Sequence, residues 1–224
     1  MSALLRRARS GRVLVTGLIL TTAVLVLVPG TANAGTSKNL LKNGAADKGL
    51  GSPDGSIVPV PSWTMTQGTS FTAVQYGATG GFPTPGDKGP NNRHVNFFAG
   101  GPGDAGTIVI ATQTADVSKY ASTIDLGVVD AMVTGWLGGN GAQADTATME
   151  VDWYSATGMP LGSTSIGPVT NTDRGNKTSL LKRTVTSLVP VGTRTAVVRL
   201  IFTRVDGPYN DGYADSLVVK LLHI

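Results

Sequence analysis

Thirteen aspartates and a single glutamate, Glu150, supply the acidic side chains of this 224-residue chain, and two Asp/Asn groups sit where a cation could be held. Asn43-Gly44-Ala45-Ala46-Asp47 precedes the first candidate strand, and Asn210-Asp211-Gly212-Tyr213-Ala214-Asp215 leads into the last. Ca2+ takes about six to eight oxygens from carboxylates, amides and backbone carbonyls, so loops of this composition suit it. The same residue types also build turns by bonding their local backbone, and both uses stand at this level.

Other chemistry is thinly supplied. His94 and His223 are far apart in the sequence, there is no Cys, and no Gly-x-Ser-x-Gly elbow occurs. A serine triad lacks its motif, and zinc lacks a local ligand cluster. His94 falls inside a candidate strand and reads as a structural or edge-strand residue. Glycoside hydrolysis needs two carboxylates across the scissile bond, for which Asp145 and Asp152 are the candidates. Sugar binding needs aromatic platforms and polar groups for hydroxyls. Trp63, Phe97, Trp153 and Phe202 lie in apolar strand contexts and read as core. Tyr76 and Phe82 border a Gly/Pro loop, Trp136 adjoins Gly138-Gly139, and Tyr209 with Asn210 stands in the last loop, so these five are the candidate ligand-binding residues. Arg93 and Arg174 read as solvated loop arginines able to fork onto hydroxyls or carboxylates.

Positioning these groups is the task of an all-β domain. Short segments rich in Val, Ile, Thr and aromatics alternate with Gly/Pro/Asn/Asp clusters, giving candidate strands at 62–67, 71–76, 94–98, 107–114, 131–137, 146–154, 163–166, 183–187, 193–203 and 215–222. Between 146 and 154 the residues Ala147, Met149, Val151 and Trp153 share one face; Ala196, Val198, Leu200 and Phe202 do the same in a later strand. Residues 77–92 and 99–106 read as loops, with single helical turns at 117–121 and within 173–183. The expected architecture is a two-sheet antiparallel jelly-roll sandwich of about ten strands with little helix.

Residues 1–34 have the layout of a secretory signal: Arg6, Arg7, Arg9 and Arg12, then an apolar run over 13–28, then Ala32-Asn33-Ala34 before the expected cleavage. That run is short of the roughly 20 residues a spanning helix needs. The domain plan is therefore a signal peptide at 1–34 and a single β-sandwich at 35–224, exported from a bacterium by the general secretory route into the extracellular space. No Cys is available for lipid attachment near the cleavage site, and free secretion without a membrane partner is the expectation. Removing the four arginines of the signal from the 18 basic residues leaves 14 against 14 acids, so the formal charge of +4 falls to zero. A neutral chain without a Lys/Arg run lacks the footprint of a nucleic-acid binder, and the expected partners are uncharged glycans or neighbouring proteins.

Asn39-Leu40-Leu41-Lys42-Asn43-Gly44-Ala45-Ala46-Asp47 followed by Trp63 resembles the opening of the galactose-binding-like jelly-roll modules of secreted bacterial proteins, with Asp47 in place of a Glu. Tyr213-Ala214-Asp215-Ser216-Leu217 is similar to their final strand. The resemblance, which includes carbohydrate-binding modules, implies a structural Ca2+ joining the first loop to the last strand through Asp47 and Asp215, with Asn43 and Asp211 as further ligands. It also implies a non-catalytic binding module for a glycan or cell-envelope polysaccharide. A structural or adhesive envelope protein that binds other proteins is the alternative, and a small Asp-dependent polysaccharide-degrading enzyme the third reading.

Overall fold

The computed structural model describes residues 35–103 and 107–223, which belong to one compact unit, Asn33–Ile224. The proposed signal peptide lies outside the described residues. The described residues form eleven strands: β1 Gly35–Thr36, β2 Thr64–Gln67, β3 Thr72–Gln75, β4 Asn96–Pro102, β5 Ile108–Asp116, β6 Val129–Gly139, β7 Thr146–Ser155, β8 Pro160–Ile166, β9 Ser179–Leu188, β10 Thr193–Thr203 and β11 Tyr209–His223. One sheet runs β3-β4-β11-β6-β9 with β1 added on β11, and the other runs β2-β5-β10-β7-β8. Every pairing between these strands is antiparallel, as expected of the sandwich.

Alternation explains the core. Ala147, Met149, Val151 and Trp153 from β7 meet Ala196, Val198, Leu200 and Phe202 from β10 between the sheets, all buried. At one end Trp63, Phe71, Phe98 and Phe202 interlock, with Trp63 and Phe71 5.5 Å and 5.7 Å from Phe98 and Phe71 5.7 Å from Phe202. Burying rings of this size contributes about 2–3 kcal/mol each before ordering costs, which makes this cluster a principal anchor of the fold.

Three expectations are corrected. Residues 99–102, read as loop, continue β4, because Gly100 and Gly101 serve close approach: a Cβ on Gly101 would stand 1.8 Å from the Ser70 carbonyl oxygen and one on Gly100 2.3 Å from Asn210 Cγ. β11 begins at Tyr209, six residues before the sequence boundary at 215, so the Asn/Asp/Gly segment is strand and not loop. No helix forms within 173–183; turns lead directly into β9 at Ser179, while the short helix near 117–121 becomes a 3-10 turn, Ser118–Tyr120, running into α1, Ala121–Asp125.

A second, smaller apolar cluster lies on the outer face of the six-stranded sheet. Val74, Phe82, Phe97, Ala99, Leu180 and Tyr213 are buried there, with Tyr76, Trp136 and Tyr209 at its margin. Two rows of opposed residues build it: Leu180, Gly138, Tyr213 and Ala99 in one, and Lys182, Trp136 and Asp215 in the next. The loop at 77–92 folds over the first row, seating Phe82 against Tyr209, Tyr213 and Phe97.

Candidate functional site

The opening motif acts by bonding the last strand. Asn39 donates from Nδ2 to the Leu217 carbonyl at 3.0 Å and accepts at Oδ1 from the Val219 amide at 2.9 Å, and the Gly44 carbonyl accepts from the Leu217 amide at 2.8 Å. β11 is irregular at that point, its register against β6 shifting between Asp215 and Val218 with Ser216 at φ 51°. The bulge turns Leu217 toward the first loop, and Asp47 of that loop lies near enough for its charge to act on Asp215.

At this corner one buried carboxylate oxygen is left without a donor. Asp215 is 1% exposed; its Oδ2 accepts from the Tyr76 hydroxyl at 2.7 Å and its Oδ1 from the Ser216 amide at 2.5 Å. Burial raises its pKa to about 6, the Tyr76 and Ser216 hydrogen bonds opposing and the Asp47 charge adding to the rise. Asp47 is also raised by burial, with His94 pulling the other way from 3.7 Å, and its Oδ1 is buried with no hydrogen-bond partner. Desolvation also raises the Tyr76 hydroxyl, so Tyr76 stays a neutral donor to Asp215. His94 stands just ahead of β4 and outside the strand, largely exposed. A cleft of about 380 Å³ opens beside the corner between Leu50, Tyr76, Pro85, His94 and Val95.

A buried carboxylate, Asp215, and a partly buried one with an orphaned oxygen, Asp47, whose charge acts on it, are of the chemistry a hard cation takes. Among the described residues no three His, Asp or Glu side chains form a metal-holding group, so carbonyl oxygens would have to complete any shell. Asn43 and Asp211 stand differently. Asn43 gives its amide to the Pro61 carbonyl at 2.9 Å, accepts from the Lys48 amide at 2.9 Å, and offers its own carbonyl to Trp63 Nε1 at 3.1 Å. Asp211 lies four residues before Asp215 on the same strand, about 13 Å away along an extended chain and too far to share one ion with it.

Asp211 belongs instead to a second corner. Asp145, fully buried, accepts from the amides of Val205 at 2.6 Å, Asp206 at 2.8 Å and Asp211 at 2.8 Å. Asp211 accepts from the Tyr213 hydroxyl, and burial raises its carboxyl pKa. Arg174, read from sequence as a solvated loop arginine, is 5% exposed; its guanidinium donates to the carbonyls of Gly139, Gly141 and Lys177 from one nitrogen and of Gln143 from another, at 2.7–2.9 Å. The loops at 139–145 and 171–178 are thus gathered around one buried cation. Arg93 plays a smaller version of this part, bonding the carbonyls of Thr84, Asp87 and Pro90 with its guanidinium 5.0 Å from the Tyr76 ring centre. Nothing local in the sequence marks Arg174 or Asp145, because their partners are mostly loop backbone groups, many of them 30 to 66 positions away.

Of the five candidate ligand residues, Tyr76, Phe82, Trp136 and Tyr209 gather in or at the edge of the outer-face cluster. Phe82 is 7% exposed and serves as the plug beneath the covering loop. Tyr209 donates to the Gly55 carbonyl at 3.0 Å, and Asn210 is buried, its Oδ1 accepting from the Gly212 amide. Trp136 stands where the covered half of the sheet ends. Beyond it the face is open, carrying Thr134, whose hydroxyl bonds that of Thr184 at 3.0 Å, and exposed Lys182 and Thr186 on β9. The acids considered for hydrolysis are committed elsewhere. Asp145 has no exposure. Asp152 sits on the outer face of the other sheet beside Glu150, both carboxylates paired with Arg199 at 2.8 and 2.5 Å, and burial followed by the Glu150 contact raises its pKa.

No family model matches the sequence, nor does any curated protein. Among solved structures, a family 16 carbohydrate-binding module is similar over 81% of this chain and 99% of its own, at 14% identity and a TM-score of 0.47. The xylan-binding CBM22-2 domain of Xyn10C from Paenibacillus barcinonensis is similar over 74% of this chain and 94% of its own, at 10% identity and TM-score 0.38. The enzymatically active domain of tailspike protein 4 from bacteriophage CBA120 is similar over 83% of this chain but only 21% of its own, at 15% identity and TM-score 0.47. With these TM-scores below 0.5, the likenesses say nothing about what this chain binds.

Proposed function

We propose that residues 35–224 are the mature form of a secreted module that binds a glycan on the open half of the outer face of the six-stranded sheet, without breaking it down. The observation that carries this reading is Trp136: a half-buried indole on a flat sheet face, opposed by Lys182 and neighboured by the Thr134/Thr184 hydroxyl pair. An indole offers the apolar face of a pyranose a flat partner, and lysine and threonine offer its hydroxyls donors and acceptors. The commitment of Asp145 to backbone amides and of Asp152 to Arg199 speaks against hydrolysis by these acids. The arginine-led apolar segment at 1–34 supports export.

The same reading includes a structural Ca2+ held by Asp47 and Asp215, with backbone carbonyls completing the shell. Bound there, the ion supplies positive charge to two carboxylates that otherwise repel and ties the first loop to β11. Retention of the folded mature protein on a panel of immobilised neutral and acidic polysaccharides tests the binding function. Retention on at least one glycan and not on the bare matrix is expected; failure on every glycan with folding verified would remove the proposal.

A further inference from the structure

The balance of charge over residues 35–224 conceals a local excess of positive charge at the start of β9. The Leu180 amide donates to the Lys88 carbonyl at 2.8 Å, so the segment at 86–90 is laid alongside the strand that carries Lys182 two residues on. Lys177 precedes the strand by two residues, its carbonyl held by Arg174 at 2.7 Å. Between these segments lies a cleft of about 540 Å³ whose walls include Asp87, Lys88, Asp173, Arg174, Lys177 and Thr178. Its two carboxylates are already engaged: Asp87 accepts from the Thr84 amide and hydroxyl at 2.7 and 2.8 Å, and Asp173 from the Thr170 amide at 2.9 Å, with Arg183 at 3.4 Å. Lys88, Lys177 and Lys182 are in no ion pair among the described residues. Arg174, bonded to carbonyls, is offset by Asp145 and Asp211 within charge range, so the free positive charge of the cleft is that of the lysines.

Neutral sugars leave such charges without a counterpart, whereas a chain with regularly spaced anionic groups meets them. Lys182 is directly opposite Trp136, so the cationic cleft and the indole platform adjoin on one surface. We propose, resting on the glycan-binding reading above, that the ligand is an acidic glycan: its carboxylate or sulfate groups lie at the Lys88/Lys177 cleft and Lys182 while a neighbouring ring stacks on Trp136. Lysine ammonium groups serve as point-charge donors to either anion.

The test is the affinity of the mature protein for polygalacturonate, a sulfated galactan, an uncharged galactan of matched length and duplex DNA, each at low and at physiological salt. Alongside runs the double variant Lys88→Ala/Lys177→Ala, whose exposed side chains leave the fold intact by thermal melting. The expected result is binding to at least one acidic glycan about tenfold or more tighter than to the uncharged one, weakened by salt and reduced about tenfold in the double variant. Preference between the two acidic chains then separates carboxylate from sulfate. Equal affinity for charged and uncharged galactans with no effect of the lysine substitutions would overturn the inference while leaving glycan binding in place. DNA bound as tightly as any glycan would also overturn it, by reducing the site to general polyanion attraction. Absence of all glycan binding would remove the underlying function as well.

Discussion

Two corners of the outer face of β11 bury aspartates in opposite ways. At Asp145 and Asp211 each carboxylate was given donors by the fold: three backbone amides converge on Asp145, the Tyr213 hydroxyl bonds Asp211, and Arg174 lies within charge range of both. At Asp47 and Asp215 the charge of one carboxylate acts on the other, one oxygen is orphaned, and no arginine among the described residues is bonded to either. A carboxylate surrounded by donors is part of the scaffold. A buried carboxylate oxygen left without a donor, where burial penalises its charge, is where the proposed Ca2+ would act.

The difference can be broken from either side. Asp145→Ala should produce the largest effect, since three buried amides lose an ionised acceptor; a loss of roughly 4 kcal/mol or more is expected from urea unfolding. Calcium should not restore it. At the other corner, added Ca2+ should raise the melting temperature of the wild type, the gain being about 2.7 kcal/mol when the ion is at a hundred times its dissociation constant. Asp215→Asn should abolish that gain.

The pH dependence follows the same line. The folded pKa of Asp215, about 6, lies above its unfolded value of 3.8, so the folded state holds the proton more tightly. Without calcium, ionising this group costs stability as pH rises from about 4 through 6, by up to roughly 3 kcal/mol. With calcium the ionised form is the useful one, and the gain from the ion should be greatest above pH 6 and fade below it. Melting curves at about pH 5 and pH 7.5, with chelator and with Ca2+, would show a calcium effect that grows with pH; an effect independent of pH would contradict the assignment. Tyr76→Phe is smaller, about 1 kcal/mol, because one hydrogen bond to Asp215 is lost; it should also move the Asp215 titration upward, visible by NMR.

Much of the sandwich was legible because strands with one buried face must alternate. Ala147 to Trp153 and Ala196 to Phe202 carry that pattern, and all ten candidate segments overlap strands. The ends of β4 and β11 were not legible, since Gly100, Gly101, Asn210 and Gly212 have the composition of turns while meeting a demand for close backbone approach. The hydrogen bonding of the first loop to the last strand, through Asn39 and Gly44 to Leu217 and Val219, follows from the motifs at the two ends of the domain. Arg174 was not legible, since the carbonyls it gathers come from 139, 141, 143 and 177 and leave no trace in spacing. Net charge is silent on this placement: a sum over the residues erases the spatial arrangement that sets Lys88 and Lys177 on one cleft, with Lys182 on the adjoining strand.

Trp136→Ala should cost roughly 1–2 kcal/mol of stability, well below Asp145→Ala, because the indole is half-buried at the margin of the outer cluster and outside the main core. Its effect on binding tests the account most directly. Glycan affinity measured by titration calorimetry, with wild type and variant matched by melting temperature and circular dichroism, should fall about tenfold or more in the variant. A folded Trp136→Ala protein that binds the same glycan with unchanged affinity would contradict the placement of the site on this face.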